Sequence, residues 1–362
     1  MDAIPKQAIN ISPDKVVGMV HITDEPYQTP EHGVPIRVDH NIDLHYENKS
    51  MLDGLRFWVM NFLIWWVVAK KRLLPKTYFP FLWIEREIKG KSGFYLKTNS
   101  FFVDGVSKIC RQIREGAATW LALDVIIRSN FRWFGPIKLL NYFWLKIRNA
   151  RAVRNRNKIV AQQLVAAIED LHSRTGRVII ASIAHGSFEA VLTACQLFIK
   201  SHSSRNIRVF FVDQNRQAIQ HMASRIDAEG LCEICSTKRL VFLKWGSVLE
   251  CIQKECGALP NIVEMAGIFD HLNTDTIVDL SLNVREQLPD GGHFITAHVA
   301  PNEEAAFLET VLEWYMNYRS PEELGELMSQ AGFHGSPAHP HPSTCEIIGE
   351  PEKIHYVAVC RK

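Results

Sequence analysis

Residues 177–215 read RVIIASIAHGSFEAVLTACQLFIKSHSSRNIRVFFVDQN. A short apolar run, Val178 to Ile180, enters a turn of small residues, Ala181-Ser182-Ile183-Ala184-His185-Gly186-Ser187. An amphipathic stretch follows. A second apolar run then ends in one acid, Val209-Phe210-Phe211-Val212-Asp213. Short apolar runs joined through a helical stretch are strands covered on both faces, so the segment predicts a βαβ unit in a parallel sheet. Small residues after the first strand let a ligand approach the backbone closely. An acid ending the second strand can accept hydrogen bonds from both hydroxyls of a ribose. Together they predict a site for a nucleoside-bearing cofactor.

The alternation continues downstream. Leu240 to Lys244, Asn261 to Met265 and His293 to Val299 are strand candidates, separated by helical patterns at Gln214 to Glu229, Ser247 to Cys256 and Asp275 to Leu288. The chain closes with Cys345 to Ile348 and Ile354 to Cys360, joined by Gly349-Glu350-Pro351-Glu352-Lys353, which predicts a β-hairpin. Dinucleotide dehydrogenases usually end on a sixth parallel strand instead, so the hairpin disfavours a nicotinamide enzyme.

The first half reads differently. Residues 1–50 are polar and rich in proline, an arm with short edge-strand pieces such as Val34 to Val38. Residues 51–172 predict a helical, aromatic-rich lid or substrate domain, and 173–362 the cofactor domain. Leu55 to Ala69 (LRFWVMNFLIWWVVA) is the most apolar stretch and is followed by Lys70-Lys71-Arg72. It falls short of the ~20 residues that span a bilayer. The remaining readings are a buried core helix, a substrate tunnel, or a membrane-surface helix with Trp beside a basic cluster. Tyr78 to Glu87 adds more aromatics and is weighed the same way. Val106 to Ile113 and Trp120 to Ile127 carry helical spacing, and one long helix is predicted from Pro136 to about Leu171.

Charge is uneven along the chain. The formal net charge is only +2, yet no acid stands between Asp124 and Glu169. The long helix carries Lys138, Lys146, Arg148, Arg151, Arg154, Arg156 and Lys158 among Tyr142, Phe143 and Trp144. It reads as a solvated helix face beside a core, as a nucleic-acid surface, or as a face for acidic lipid or an acyl-carrier partner. No RNA- or DNA-binding motif accompanies the charge, so nucleic acid is not expected. The eight cysteines sit mostly in apolar or helical contexts, and the N-terminus lacks the basic and apolar regions of a signal peptide. A reducing, cytoplasmic location follows as an expectation, with membrane association left open by the Trp-rich helix. Cys232-x2-Cys235 and Cys251-x4-Cys256 are loosely like a zinc ribbon, but the bland alternative of ordinary helix residues flanking a strand is preferred, and no metal is expected.

The C-terminal motifs resemble those of the class I S-adenosylmethionine (SAM)-dependent methyltransferases, over about Arg177 to Lys362. Ala184-His185-Gly186 stands at the family's glycine-rich loop, and Asp213 at its ribose-binding acid. Gly246-Ser247-Val248 stands at the adenine-contacting turn. Pro260 to Met265 resembles the fourth motif, and Leu288-Pro289-Asp290-Gly291-Gly292 the turn before the fifth strand. Ser182 replaces the usual acid ending the first strand, and Asn261 replaces the fourth-motif acid. The resemblance implies an α/β Rossmann-like sheet of parallel strands plus a C-terminal antiparallel hairpin, with a helical N-terminal domain. It implies SAM as cofactor, bound by Ser182, Ala184, Gly186, Asp213, Gln214, Gly246, Ser247, Val248 and Glu264.

A narrower likeness concerns the acceptor. Met265-Ala266-Gly267-Ile268-Phe269-Asp270-His271-Leu272 is similar to the AGLFDYL segment of bacterial methyltransferases that make fatty-acid methyl ester signals. Leu312 to Arg319 (LEWYMNYR) is similar to their LEWHLIYR helix. It implies that Trp314, Tyr318 and Arg319 line or support the acceptor site, and that the acceptor is small or lipid-like, methylated on carboxylate or hydroxyl oxygen. A carboxylate needs no base at neutral pH, whereas a hydroxyl is helped by one. The catalytic candidates are His185, Glu264 and His298, with His271 and Asp270 nearby. Rival readings are aminocarboxypropyl transfer from SAM, as in nicotianamine synthase-like enzymes, and a non-catalytic scaffold that keeps the fold.

Overall fold

The structure is a computed structural model that describes residues 33–40, 52–73, 107–129, 136–184, 188–202, 206–334 and 344–362. His185, Gly186 and the aromatic stretch Tyr78 to Glu87 lie outside the described residues.

Eight described strands form one sheet. They are β1 (Ile36–Val38), β2 (Val178–Ile183), β3 (Ile207–Asp213), β4 (Cys235–Arg239), β5 (Ile262–Met265), β6 (His293–Val299), β7 (Thr344–Gly349) and β8 (His355–Arg361). Their order is β1-β7-β8-β6-β5-β2-β3-β4. β8 runs antiparallel to both β6 and β7, and the other neighbouring pairs are parallel. The expected parallel sheet with a terminal hairpin is therefore present, and the N-terminal piece near Val34 adds an eighth, edge strand against β7.

Side chains alternate across the strands, as a pleated backbone requires. Val178, Ile180, Val209, Phe211, Ile262, Ile295 and Val357 face one core. Ile179, Ala181, Phe210, Val212, Val263, Phe294 and Ala358 face the other. Both faces are buried under helices, which explains the continuous apolar runs.

The helices are α1 (Asp53–Leu73), α2 (Lys108–Glu115), α3 (Trp120–Arg128), α4 (Pro136–Lys146), α5 (Arg148–Thr175), α6 (Glu189–Ser201), α7 (Arg216–Ala228), α8 (Trp245–Cys256), α9 (Thr274–Gln287) and α10 (Pro321–Gln330). Helices α5 to α7 cover the first sheet face. Helices α1 to α5 share a third core with a helical turn at Phe307–Leu312.

Four sequence expectations are corrected. The strand expected at Leu240 to Lys244 lies instead at Cys235–Arg239. Because β4 is the sheet edge, its sequence CSTKR is half-solvated and polar. Val241 and Leu243 belong to the turn that follows and are exposed.

The single helix expected from Pro136 to Leu171 breaks at Ile147, whose backbone is extended at φ −59 and ψ 154. The new N-terminus of α5 has no local side-chain cap. Glu304, from beyond β6, supplies one: Arg148 N–H and Asn149 N–H donate to its carboxylate at 2.9 and 2.8 Å.

The basic run on α5 is not a solvated face. Arg151 is 1% exposed, held by Glu352 and Asp53, and Arg148 also reaches Glu352. Arg154 donates to the backbone carbonyls of Ile126 and Leu145.

The expected helix at Leu312 to Arg319 is absent. A π-helical turn, Leu308–Leu312, ends at Glu313 in the left-handed region (φ 55), and irregular chain follows.

Helix α1 is buried along Arg56, Met60, Leu63 and Val67, while Leu55, Phe57, Trp58, Phe62 and Trp65 are exposed. Among the described residues, no helix is long and apolar enough to cross a membrane.

Candidate active site

Strand order reverses between β2 and β5, the switch point at which open α/β sheets bind ligands beyond their carboxyl ends. A cleft of about 1260 Å³, counting the part open to solvent, lies there. Ala184 after β2, Asp213 at the end of β3 with Gln214 and Asn215 after it, and Gly267, Ile268, Asp270 and His271 after β5 form its sheet side. The opposite side is apolar and helical, with Trp120 and Leu123 of α3, Trp144 of α4, and Leu308, Leu312 and Trp314. Helix α5 contributes one face, Asn149, Val153 and Arg156, at the i, i+4, i+7 spacing that aligns side chains.

Positive φ at residues that carry a side chain recurs around this cleft, at the lining residues Ala118 (φ 59) and Ala184 and at Glu313 beside Trp314. Ala184 has φ 46 at the position of the glycine-rich loop, and its N–H donates to Val212 O at 2.9 Å. Its small side chain leaves room for close approach, at the cost of a left-handed backbone. Glu313 (φ 55) turns the chain after the π-helical turn, so that Trp314 N–H donates to Leu308 O and its ring joins the cleft.

Asp213 is poised by its own loop. Asn215 N–H donates to Asp213 Oδ1 at 2.7 Å, fixing the carboxylate at the strand end. Burial raises its pKa above the ordinary value, and the backbone N–H groups of Asn215 and Gln214 oppose that rise.

Near the ends of β2 and β5, Ser182 and Glu264 meet. They stand opposite each other in the β2–β5 register. Ser182 Oγ donates to Glu264 Oε2 at 2.6 Å, and Ala266 N–H donates to Oε1 at 2.8 Å. Burial raises the Glu264 pKa to about 7, against the pull of those two donors and of Arg156. A carboxyl from the neighbouring strand thus stands beside Ser182 at the end of β2.

A buried polar cluster closes the inner end. Asp270 accepts from Val299 N–H at 2.9 Å, and its Oδ1 lies 2.9 Å from His298 Nδ1, without the alignment of a full hydrogen bond. Despite burial, His298, His355 and Arg156 hold Asp270 well below the usual carboxylate range. His298 Nε2 accepts from Arg319 Nη1 at 3.3 Å, and Arg319 Nη2 donates to Leu272 O at 2.9 Å. The backbone of His355 is pinned by Glu350, whose carboxylate accepts from the N–H groups of Glu352, Ile354 and His355. Burial lowers the His355 pKa to about 3, with Arg156 adding to the effect, so the ring is neutral.

The structure therefore gathers Ala184, Asp213, Gln214, His271 and Trp314 around the cleft, while Ser182 and Glu264 are buried at the ends of β2 and β5 and do not line it. Gly246 and Ser247 line a separate shallow depression with Trp245 and Gln287, Val248 is buried, and Phe242 takes the place by the main cleft. Tyr318 packs against the cluster of Ala152, Val299 and Ile354. Arg319 and His298 hold each other and do not line the cleft. Sequence reasoning missed Arg156, His355, Trp120, Trp144, Asn149 and Phe242. Arg156 and His355 left a signal: the 149/153/156 spacing, and strand alternation that puts His355 on the α5 side with Val357. Cys235 opens β4, and Cys251 and Cys256 lie on α8; among the described residues no three ligands come together as a metal site.

The family model described as a putative methyltransferase matches residues 89–338. The chain belongs to that putative methyltransferase family. The match begins upstream of β2, so helices over the cleft are part of the family's domain, and the enzyme is a methyltransferase. A crystal structure of a possible exported protein from Bordetella parapertussis has a similar fold. It covers 86% of this chain and 96% of that one, with a TM-score of 0.52 and 11% identity. A putative methyltransferase from Thermobifida fusca YX is similar over 68% of this methyltransferase and 94% of that chain, with a TM-score of 0.45 and 14% identity. No curated protein matches the sequence.

Proposed function

We propose that this methyltransferase uses SAM and methylates a small or lipid-like acceptor on carboxylate or hydroxyl oxygen. One observation carries the reading: Asp213, at the end of β3, opens onto the same cleft as Ala184 and the apolar helical wall. Asp213 suits ribose hydroxyls, because its carboxylate is already oriented by Asn215 N–H. Ala184 permits close approach of the cofactor. Glu264 offers a carboxylate for the amino group of the cofactor's methionine arm. When bound, SAM supplies a methyl group on a sulfonium, an activated donor needing no further activation.

The chain's own contribution is then positioning and exclusion of water. Trp120, Trp144, Leu308, Leu312 and Trp314 give the acceptor's body an apolar surround. A carboxylate acceptor needs no base. For a hydroxyl, His271 is the better placed of the two lining histidines to accept the proton, since burial lowers the pKa of His355 to about 3 and Arg156 lies against its Nδ1.

Calorimetric titration with SAM and S-adenosylhomocysteine tests the reading. Micromolar binding that is lost in Asp213→Ala supports it. Absence of binding by folded protein sinks it.

A further inference from the structure

Arg156 is a buried charge with too few partners. The residue is 6% exposed, and its guanidinium carries five N–H donors. Among the described residues its polar contacts are two, both through Nη1, at 3.5 Å to His355 Nδ1 and 4.0 Å to Asp270 Oδ2, and the buried Glu264 acts on it through charge without a hydrogen bond. Asp270 already serves Val299 N–H and His298. Nε and Nη2 are not among the fully buried unpaired atoms, and Arg156 lines the cleft. A guanidinium taken out of water and only partly satisfied is costly, and burial does lower its pKa.

The surroundings are short of acceptors. The lining carboxylates of the described residues are Asp213 and Asp270. The indole N–H groups of Trp144 and Trp314, on two residues that line the same cleft, are buried without a partner. His355, neutral and pinned by Glu350, presents Nδ1 as an acceptor and orients the guanidinium without adding a like charge.

We propose that Arg156 is the anion-binding residue of the cleft and holds a carboxylate of a bound ligand in its guanidinium fork. The planar pair of N–H donors matches a carboxylate bidentately, and the dry site strengthens the bond. His355 is a positioning residue. The inference rests on the cleft being the methyl-transfer site. The carboxylate belongs either to the methyl acceptor or to the amino-acid arm of the cofactor.

Calorimetry on the full chain distinguishes the sources with two probe pairs. Octanoate against octanol reports an acceptor carboxylate. S-adenosylhomocysteine against its decarboxylated analogue, which keeps the arm's ammonium and lacks only its carboxylate, reports the cofactor. The wild type is expected to prefer the carboxylate member of at least one pair by about tenfold. Arg156→Gln is expected to erase that preference while the neutral member binds within about twofold. The pair in which this happens names the source.

No preference in the wild type, or a preference that survives Arg156→Gln, overturns the proposal. Binding of the decarboxylated analogue without any carboxylate preference leaves the cofactor reading standing and removes Arg156 from it. Failure to bind either adenosine compound sinks the cofactor reading, and the octanoate pair still decides on Arg156. Should Arg156→Gln not fold, Arg156→Lys keeps the charge and removes the fork. An unchanged preference there also overturns the proposal, and a loss approaching tenfold supports it.

Discussion

Ser182 Oγ donates a 2.6 Å hydrogen bond to Glu264 Oε2 across the two strands at which the sheet order reverses. The pair places a carboxyl of raised pKa where the sheet's ligand end begins. Its protonation makes folding depend on pH, and under the proposed role of Glu264 ligand binding depends on pH in the opposite sense.

For folding, the sign follows from burial. An unfolded Glu ionises near its usual 4.5, and Glu264 in the fold near about 7. Between those values the folded chain keeps a proton that the unfolded chain has lost, so stability falls as pH rises through that window and is level above it. The expected loss is about 3 kcal/mol, and it is absent in Glu264→Gln. Denaturant unfolding at pH 4.5 and pH 8 measures it; equal slopes in both proteins would remove Glu264 as the cause. Ser182→Ala deletes a donor that favours the ionised form, so its inflection moves above that of the wild type.

Cofactor affinity is expected to run the other way. If Glu264 meets the ammonium of the cofactor, its charged form binds, and affinity for S-adenosylhomocysteine rises with pH through about 7. A flat profile in the wild type contradicts that role.

Asp213→Asn keeps the shape and removes the charge at the end of β3. Weakening of S-adenosylhomocysteine binding by about 1–3 kcal/mol is expected, the range for hydrogen bonds to a charged group. An unchanged dissociation constant takes Asp213 out of the site.

Ala184→Gly relieves the left-handed backbone at φ 46. The strain removed exceeds the entropy that glycine adds to the unfolded chain, so a gain of about 1 kcal/mol is expected, with cofactor affinity retained. A lower melting temperature would show that the Ala184 methyl packs favourably instead.

Glu304→Ala uncaps α5. Two N–H groups, of Arg148 and Asn149, lose their acceptor, and the expected cost is about 2 kcal/mol in thermal or chemical unfolding. Because Asn149, Val153 and Arg156 line the cleft from that helix, ligand affinity is expected to fall as well.

Much of the architecture was legible in residue order alone. The apolar runs at Val178, Val209, Asn261 and His293, their helical spacers and the terminal hairpin are local patterns, and a sheet buried on both faces leaves no other reading of them. Asp213 and the small residues after β2 were legible for the same reason: strand ends position ligand groups by geometry that chain order dictates. The edge strand β4 was not, because a half-solvated strand carries no apolar run and the neighbouring turn does.

What only the tertiary structure decided depends on residues distant in sequence. The break at Ile147 is held by Glu304. The arginines of α5 are buried because Glu352 and Asp53, from the hairpin turn and from α1, neutralise them. Arg156 looked like one more member of a basic run until the fold set it beside His355 and Asp270, two hundred or so residues away for the first. A charge in a sequence has no sign of burial attached to it. Its role is settled by which opposite charges, from other elements, the packed sheet and helices bring within reach.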